Sequence, residues 1–306
     1  MVAVIGALIG MLLPAIQTVR RVGRRHNCAQ HLAQLMVAVH QYEGAFQRYP
    51  PGTLNNMGPV LSQPVGYHHS WISQILPYLE QTTAYHRIDR SVGVYHANNA
   101  SVRRVSIPNL RCPSSPAVGR GYSDYAGVHH DQEAPIDVSN NGVFFLNSAI
   151  RYQDVLDGTS NTCFIGEKHT LVGDLGWMSG TRSTLRNMVN PQITRAATTL
   201  PFARSRPPDV PQPNPPPPLE GAELLESLFG EAVDVRLLGR AGRALPPFVR
   251  PKNPLLAVGG FSGMHLGGTQ FALGDGSVRF LSGATDAWHY KYLGNRADRQ
   301  LIDEGL

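Results

Sequence analysis

Lysine and cysteine are scarce in this chain, and each scarcity excludes something. The only lysines are Lys168, Lys252 and Lys291, so the excess of 27 basic over 22 acidic residues rests on arginine. The one dense basic patch is Arg20, Arg21, Arg24 and Arg25. It abuts an apolar run instead of interleaving with aromatics, so it reads as a membrane flank and no nucleic-acid partner is expected. The three cysteines, Cys28, Cys112 and Cys163, lie far apart with no CxxC spacing. A metal site built on cysteine is therefore not expected. One disulfide plus one buried thiol is the alternative if the chain faces an oxidising compartment. No G-x-S-x-G elbow surrounds Ser160, so it reads as a turn residue and no small-molecule substrate is identified.

Polar side chains are also missing from residues 1–16. As a helix, that run reaches about 24 Å, short of the roughly 30 Å of a bilayer core. Leu8, Ile9, Leu12, Leu13 and Ile16 form its expected packing surface, and Pro14 should kink it. From Cys28 onward, Leu32, Leu35, Met36, Val39, Tyr42 and Phe46 follow the three-and-four spacing of one helical face. Residues 2–46 thus read as one helix about 68 Å long, closed by Tyr49-Pro50-Pro51-Gly52.

Beyond it, residues 71–80 read as a short buried helix interrupted by Pro77. Segments 107–112, 122–128, 142–146 and 162–167 read as extended, the last preceded by the Asp157-Gly158-Thr159-Ser160-Asn161 turn. Nine prolines among residues 201–218 make a stiff spacer, followed by an amphipathic helix at 224–233. The Asp275-Gly276 pair predicts a two-residue hairpin turn, which would place Leu273 opposite Val278 and Phe271 opposite Phe280. A helix followed by strands is an α+β order. The division is an apolar membrane segment at 1–19 and its amphipathic continuation at 20–48. A head at 49–200 follows, then a proline-rich insertion at 201–254, with 255–306 completing the head.

Several motifs carry a family resemblance. They are LLPAIQTVRR with Cys28, Tyr49-Pro50-Pro51-Gly52, SWISQILPYLEQ, Cys112-Pro113-Ser114, DGTSNTCFIGE, and His265 nine residues before Asp275-Gly276. Over about 1–180 and 255–306 the chain resembles bacterial type IV pilin-like and pseudopilin-like proteins that carry a domain of unknown function, number 1559, and end in a His-x9-Asp-Gly motif. The resemblance implies a long helix packed on an antiparallel sheet. It also implies an inner-membrane, single-pass anchor, like helices of other pilin-type subunits as partners, and a head that is periplasmic or extracellular. A link to type II secretion or type IV pilus-like assemblies follows from the same likeness. Such families open on a Gly-Phe-Thr-Leu-x-Glu-type processing site, which does not precede the run here. About eight more residues would restore a spanning length near twenty. A misplaced start is the simplest account of that shortfall, and loss of the site is the other. The positive-inside rule alone would hold the arginines and the head in the cytoplasm; the resemblance places the head outside, and that reading is adopted.

The implied function is a non-enzymatic envelope subunit. Its rival is a membrane-anchored ligand-binding protein or hydrolase using the His265/Asp275 region with His129. His265, Gly267, Gly268, Asp275, Gly276, Asp157, Gly158, Ser160 and Asn161 read as structural motif residues. In that reading His265 bonds backbone and Asp275 serves its turn. With the resemblance and an oxidising location, Cys28 and Cys112 become the disulfide candidates, leaving Cys163 buried. Asp154, Asp157 and Asn161 are oxygen donors of the kind that bind calcium in some pseudopilin heads. Their spacing departs from an EF-hand loop, so no cofactor is expected. His68-His69 and His129-His130-Asp131 read as solvated loop residues.

Overall fold

The computed structural model describes residues 2–116, 119, 121–170, 173–189 and 251–300, with side chains from residue 16 onward. The side chains of Leu8, Ile9, Leu12, Leu13 and Pro14, and the expected helix at 224–233, lie outside the described residues. The first element is α1 (Val2–Phe46), one unbroken helix. It ends because Gln47 turns left-handed (φ 55°) and returns its N–H to the Glu43 carbonyl. The Tyr49-Pro50-Pro51-Gly52 segment then leaves the helix, with the Tyr49 ring buried against Phe164. A Cβ at Gly52 would collide with the Phe144 backbone, so this turn requires glycine.

A two-stranded ribbon, β1 (Thr53–Leu54) with β2 (His69–Ser70), leads into α2 (Trp71–Ile75). A 3-10 turn at Leu76–Leu79 follows directly, opened by Pro77. Proline suits the second position of this first turn because its missing N–H would have been unpaired there anyway. A third short helix, α3 (Thr82–His86), closes this lobe.

The head is built on five strands in the order β5-β3-β4-β6-β7. They are β3 (Tyr125–His130), β4 (Cys163–Glu167), β5 (Leu185–Asn187), β6 (Gly268–Leu273) and β7 (Val278–Ser282). All pairs are antiparallel except β3 with β5. Helix α1 covers one face, where Leu32, Leu35, Met36 and Val39 share a core with Ile165 and Ala272. The last helix, α4 (Ala287–Gly294), covers the other, and its Tyr290 and Leu293 join Phe261, Phe271 and Leu281. The fold is α+β, a sheet between two helical layers. Among the described residues, no helix is long and apolar enough to cross a membrane.

Three expectations are corrected. Segment 107–112 is not extended, because Pro108 nucleates a 3-10 turn at Pro108–Leu110. Segment 142–146 is not a strand. Both edges of β3 are occupied by β4 and β5, so Val143 and Phe144 reach only the Val128 carbonyl at the β3 bulge. The hairpin register is one residue off the two-residue-turn expectation. Phe271 pairs with Arg279, Gln270 with Phe280 and Ala272 with Val278. The loop holds three residues, Gly274, Asp275 and Gly276. Gly276 takes φ 88° and Leu273 accepts its N–H, the geometry of a type I turn with a glycine bulge. Phe271 and Phe280 therefore point to opposite faces.

Candidate functional site

Where α1 enters the head, four chain segments converge. Cys28 is the first fully buried residue among the described side chains of α1, at the position where its striped face begins. Cys112 follows the Pro108–Leu110 turn and donates its backbone N–H to Asp124 Oδ2 at 2.9 Å. Asp124 is held in turn by Arg111 Nε at 3.2 Å, and by the Ser115 and Thr170 hydroxyls. The two cysteines form a disulfide, with Cα atoms 5.4 Å apart and a sequence separation of 84. It joins the long helix to the head. Cys163 is a buried free thiol whose pKa is pushed up by desolvation.

Beside the disulfide lie Glu167, at the end of β4, and His265, in the loop before β6. His265 Nε2 is 3.1 Å from Glu167 Oε1 and 3.8 Å from Cys112 Sγ. The other Glu167 oxygen accepts the Gln270 backbone N–H at 3.1 Å, which fixes the carboxylate's orientation. Glu167 is fully buried and the His265 side chain is 7% exposed. One ligand atom from each of Cys28, Cys112, Glu167 and His265 lies within 4.8 Å of the others. Among the described residues, this is the one such grouping of three or more metal-ligating side chains.

The sequence motif thus separates in space. His265 does not cap backbone with its ring; it faces a buried carboxylate and two sulfurs. Asp275 sits at the opposite end of β6, where its Oδ1 accepts the Ser277 N–H and hydroxyl. The His265/Asp275 pair of the hydrolase reading is not assembled. His129 is elsewhere again, buried and bonded to Asn140 Oδ1 at 3.0 Å. Gly267 (φ 89°) turns the loop so that His265 bridges Gly268.

The oxygen donors considered for calcium are committed to protein partners. Asp154 caps Arg151, and Asp157 accepts the Asp298 and Arg299 N–H groups. Asn161 donates to the Asp157 carbonyl across Gly158, whose φ is 84°, while Ser160 is exposed on the turn. Arg25 also leaves the role of a simple flank. Its guanidinium lies 3.6 Å above the Phe280 ring, and its carbonyl accepts the Gln270 side-chain amide.

A family model described as a protein of unknown function (DUF1559) matches residues 17–287. The chain belongs to that family. No curated protein and no solved structure matches. The DUF1559 match spans Cys28, Cys112, Glu167 and His265, so the whole cluster lies inside the family region.

Of the histidines expected in solvent, His68, His69 and His129 are buried and His130 is partly buried. Desolvation holds His68 down at about 4 and His129 at about 3. Below the ordinary value of 6.5 the unfolded chain therefore takes up protons that the folded chain refuses. Stability is expected to fall from pH 6.5 toward pH 4 by about 1.4 kcal/mol per pH unit for each of these histidines. Urea unfolding of the wild type and of His129→Gln between pH 7 and 4.5 checks this. Equal pH slopes in the two proteins would remove His129 from the explanation.

Proposed function

We propose that the chain is a non-enzymatic, pilin-like envelope subunit, anchored or assembled through α1 with its head outside the cytoplasm. What carries the reading is that one helix serves two environments. From Cys28 to Tyr42 its apolar stripe is buried in the head, yet upstream Val19 and Val22 are 70% and 64% exposed. Exposed valines on a helix that continues N-terminally into sixteen residues without a polar side chain call for a lipid or helix partner. The Cys28–Cys112 disulfide fits an oxidising compartment. The likeness to pilin-type motifs supplies the class of partner, namely like helices, and an inner-membrane anchor.

The test is fractionation of the full chain against a variant carrying Leu8→Asp and Leu12→Asp. The wild type is expected with the membranes, or in oligomers that resist salt. Each introduced carboxylate should weaken insertion about a hundredfold, since Asp at a membrane-helix centre costs about 2.5–3.5 kcal/mol. A wild-type chain that is monomeric and released without detergent would overturn the proposal.

A further inference from the structure

We propose that in its thiol form this chain binds one divalent cation of the zinc class through Cys28 Sγ, Cys112 Sγ, His265 Nε2 and Glu167 Oε1, and that the ion and the Cys28–Cys112 disulfide exclude one another. The geometry supplies most of a tetrahedral site. With metal–sulfur bonds near 2.3 Å and metal–nitrogen or –oxygen bonds near 2.0 Å, tetrahedral donors stand about 3.3–3.8 Å apart. The His265–Glu167 and His265–Cys112 separations of 3.1 and 3.8 Å are already close to that. The two sulfurs, now bonded, would have to part to about 3.8 Å. Side-chain rotation can provide this, because the residues stand on separate elements.

The surroundings support the same conclusion. A buried carboxylate is costly unless a cation compensates it. Among the described residues, the Glu167 carboxylate meets the His265 ring and no lysine or arginine within ion-pair distance. One of its oxygens is tied to the Gln270 N–H, which leaves Oε1 directed at the cluster. Cys112 is positioned through Asp124, itself anchored by Arg111, Ser115 and Thr170. Such outer contacts orient ligands in metal sites. A set of two sulfurs, one nitrogen and one oxygen suits zinc, and disfavours calcium and magnesium, which require oxygen donors.

Binding is balanced without an external oxidant or reductant. The two thiols release two protons as the sulfurs bond to the ion, and neutral His265 donates its Nε2 lone pair with the ring proton on Nδ1. The proposal stands independently of whether the chain assembles through α1.

The full chain is reduced with a water-soluble phosphine, which becomes phosphine oxide as the disulfide becomes two thiols, freed of metal, and titrated with Co2+. One equivalent is expected, with thiolate-to-cobalt charge-transfer absorption and tetrahedral visible bands. Zn2+ should displace it, and the oxidised chain should show neither band. His265→Ala and Glu167→Gln should each weaken binding about tenfold or more. Where the alanine variant fails to fold, His265→Gln takes the same measurement. Absence of the bands in the reduced, folded chain would overturn the proposal, as would unchanged affinity in the His265 variants. If reduction unfolds the chain, Zn2+ is expected to restore its near-ultraviolet circular dichroism, and failure to do so overturns it as well.

Discussion

Phe271→Ala is expected to cost about 3–5 kcal/mol of unfolding free energy, and Phe280→Ala less than about 2 kcal/mol. The difference comes from the hairpin register. Phe271 is fully buried, with ring centroids 5.1 Å from Phe261 and 6.1 Å from Tyr290. Truncating it opens a cavity between the sheet and α4, among the buried Phe261, Leu281 and Tyr290 side chains. Phe280 lies on the opposite face and is only partly buried, with the Arg25 guanidinium above it. Its loss removes a contact that water can replace. The two-residue turn would put both rings on one side and make the substitutions comparable. Urea denaturation of both variants decides it, and equal losses would contradict the observed pairing.

That register shows where sequence patterns stop being sufficient. Turn chemistry and alternation agreed on a hairpin at Asp275-Gly276, and a hairpin is present. Gly274, however, is drawn into the loop, because Gly276 serves as the left-handed bulge residue and not as the second residue of a tight turn. A one-residue change in loop length exchanges every side chain between faces. The long helix was more legible, because three-and-four spacing repeats many times between Leu32 and Phe46, and its observed end at Phe46 matches the last striped residue. Segment 142–146 misled because its apolar run is buried while making only an isolated bridge to Thr53 and bonds to the Val128 and His129 carbonyls, not a ladder. Apolar runs report burial, not pairing.

The site was legible only in pieces. Cys28 and Cys112 stood out through their motifs, and His265 through its spacing from Asp275. Spacing suggested a partnership between His265 and Asp275, but β6 holds them at opposite ends. Glu167 was missed, although it carried a signal. It falls two residues after Ile165 in β4, on the face that receives α1. A charged residue in that phase needs a buried partner, and His265 is that partner. Nothing in a linear sequence shows that residues 28, 112, 167 and 265 meet; long-range strand pairing brings them together.

The largest loss expected from any change at this junction is that of the disulfide itself. Cys28→Ser combined with Cys112→Ser should destabilise the oxidised chain by about 4–5 kcal/mol, the chain-entropy value for closing a loop of 84 residues. The cross-link acts mainly on the unfolded state, where it would otherwise cost nothing to let the helix drift from the head. In the folded state its effect is local. The helix at Cys28 is already held by the Tyr125 hydroxyl on the Cys28 carbonyl and by Asn109 bonding Gln34 at 2.7 Å, so the double variant should fold with the same packing. Because Cys163 stays buried, it should not form a substitute cross-link. Reduction of the wild type without added metal should reproduce the loss, and the serine variant should be indifferent to reductant. A double variant whose urea midpoint matches the oxidised wild type would mean that packing of Leu32, Leu35, Met36 and Val39 fixes the helix unaided, leaving the conversion of the four-residue cluster between disulfide and metal without a stability consequence.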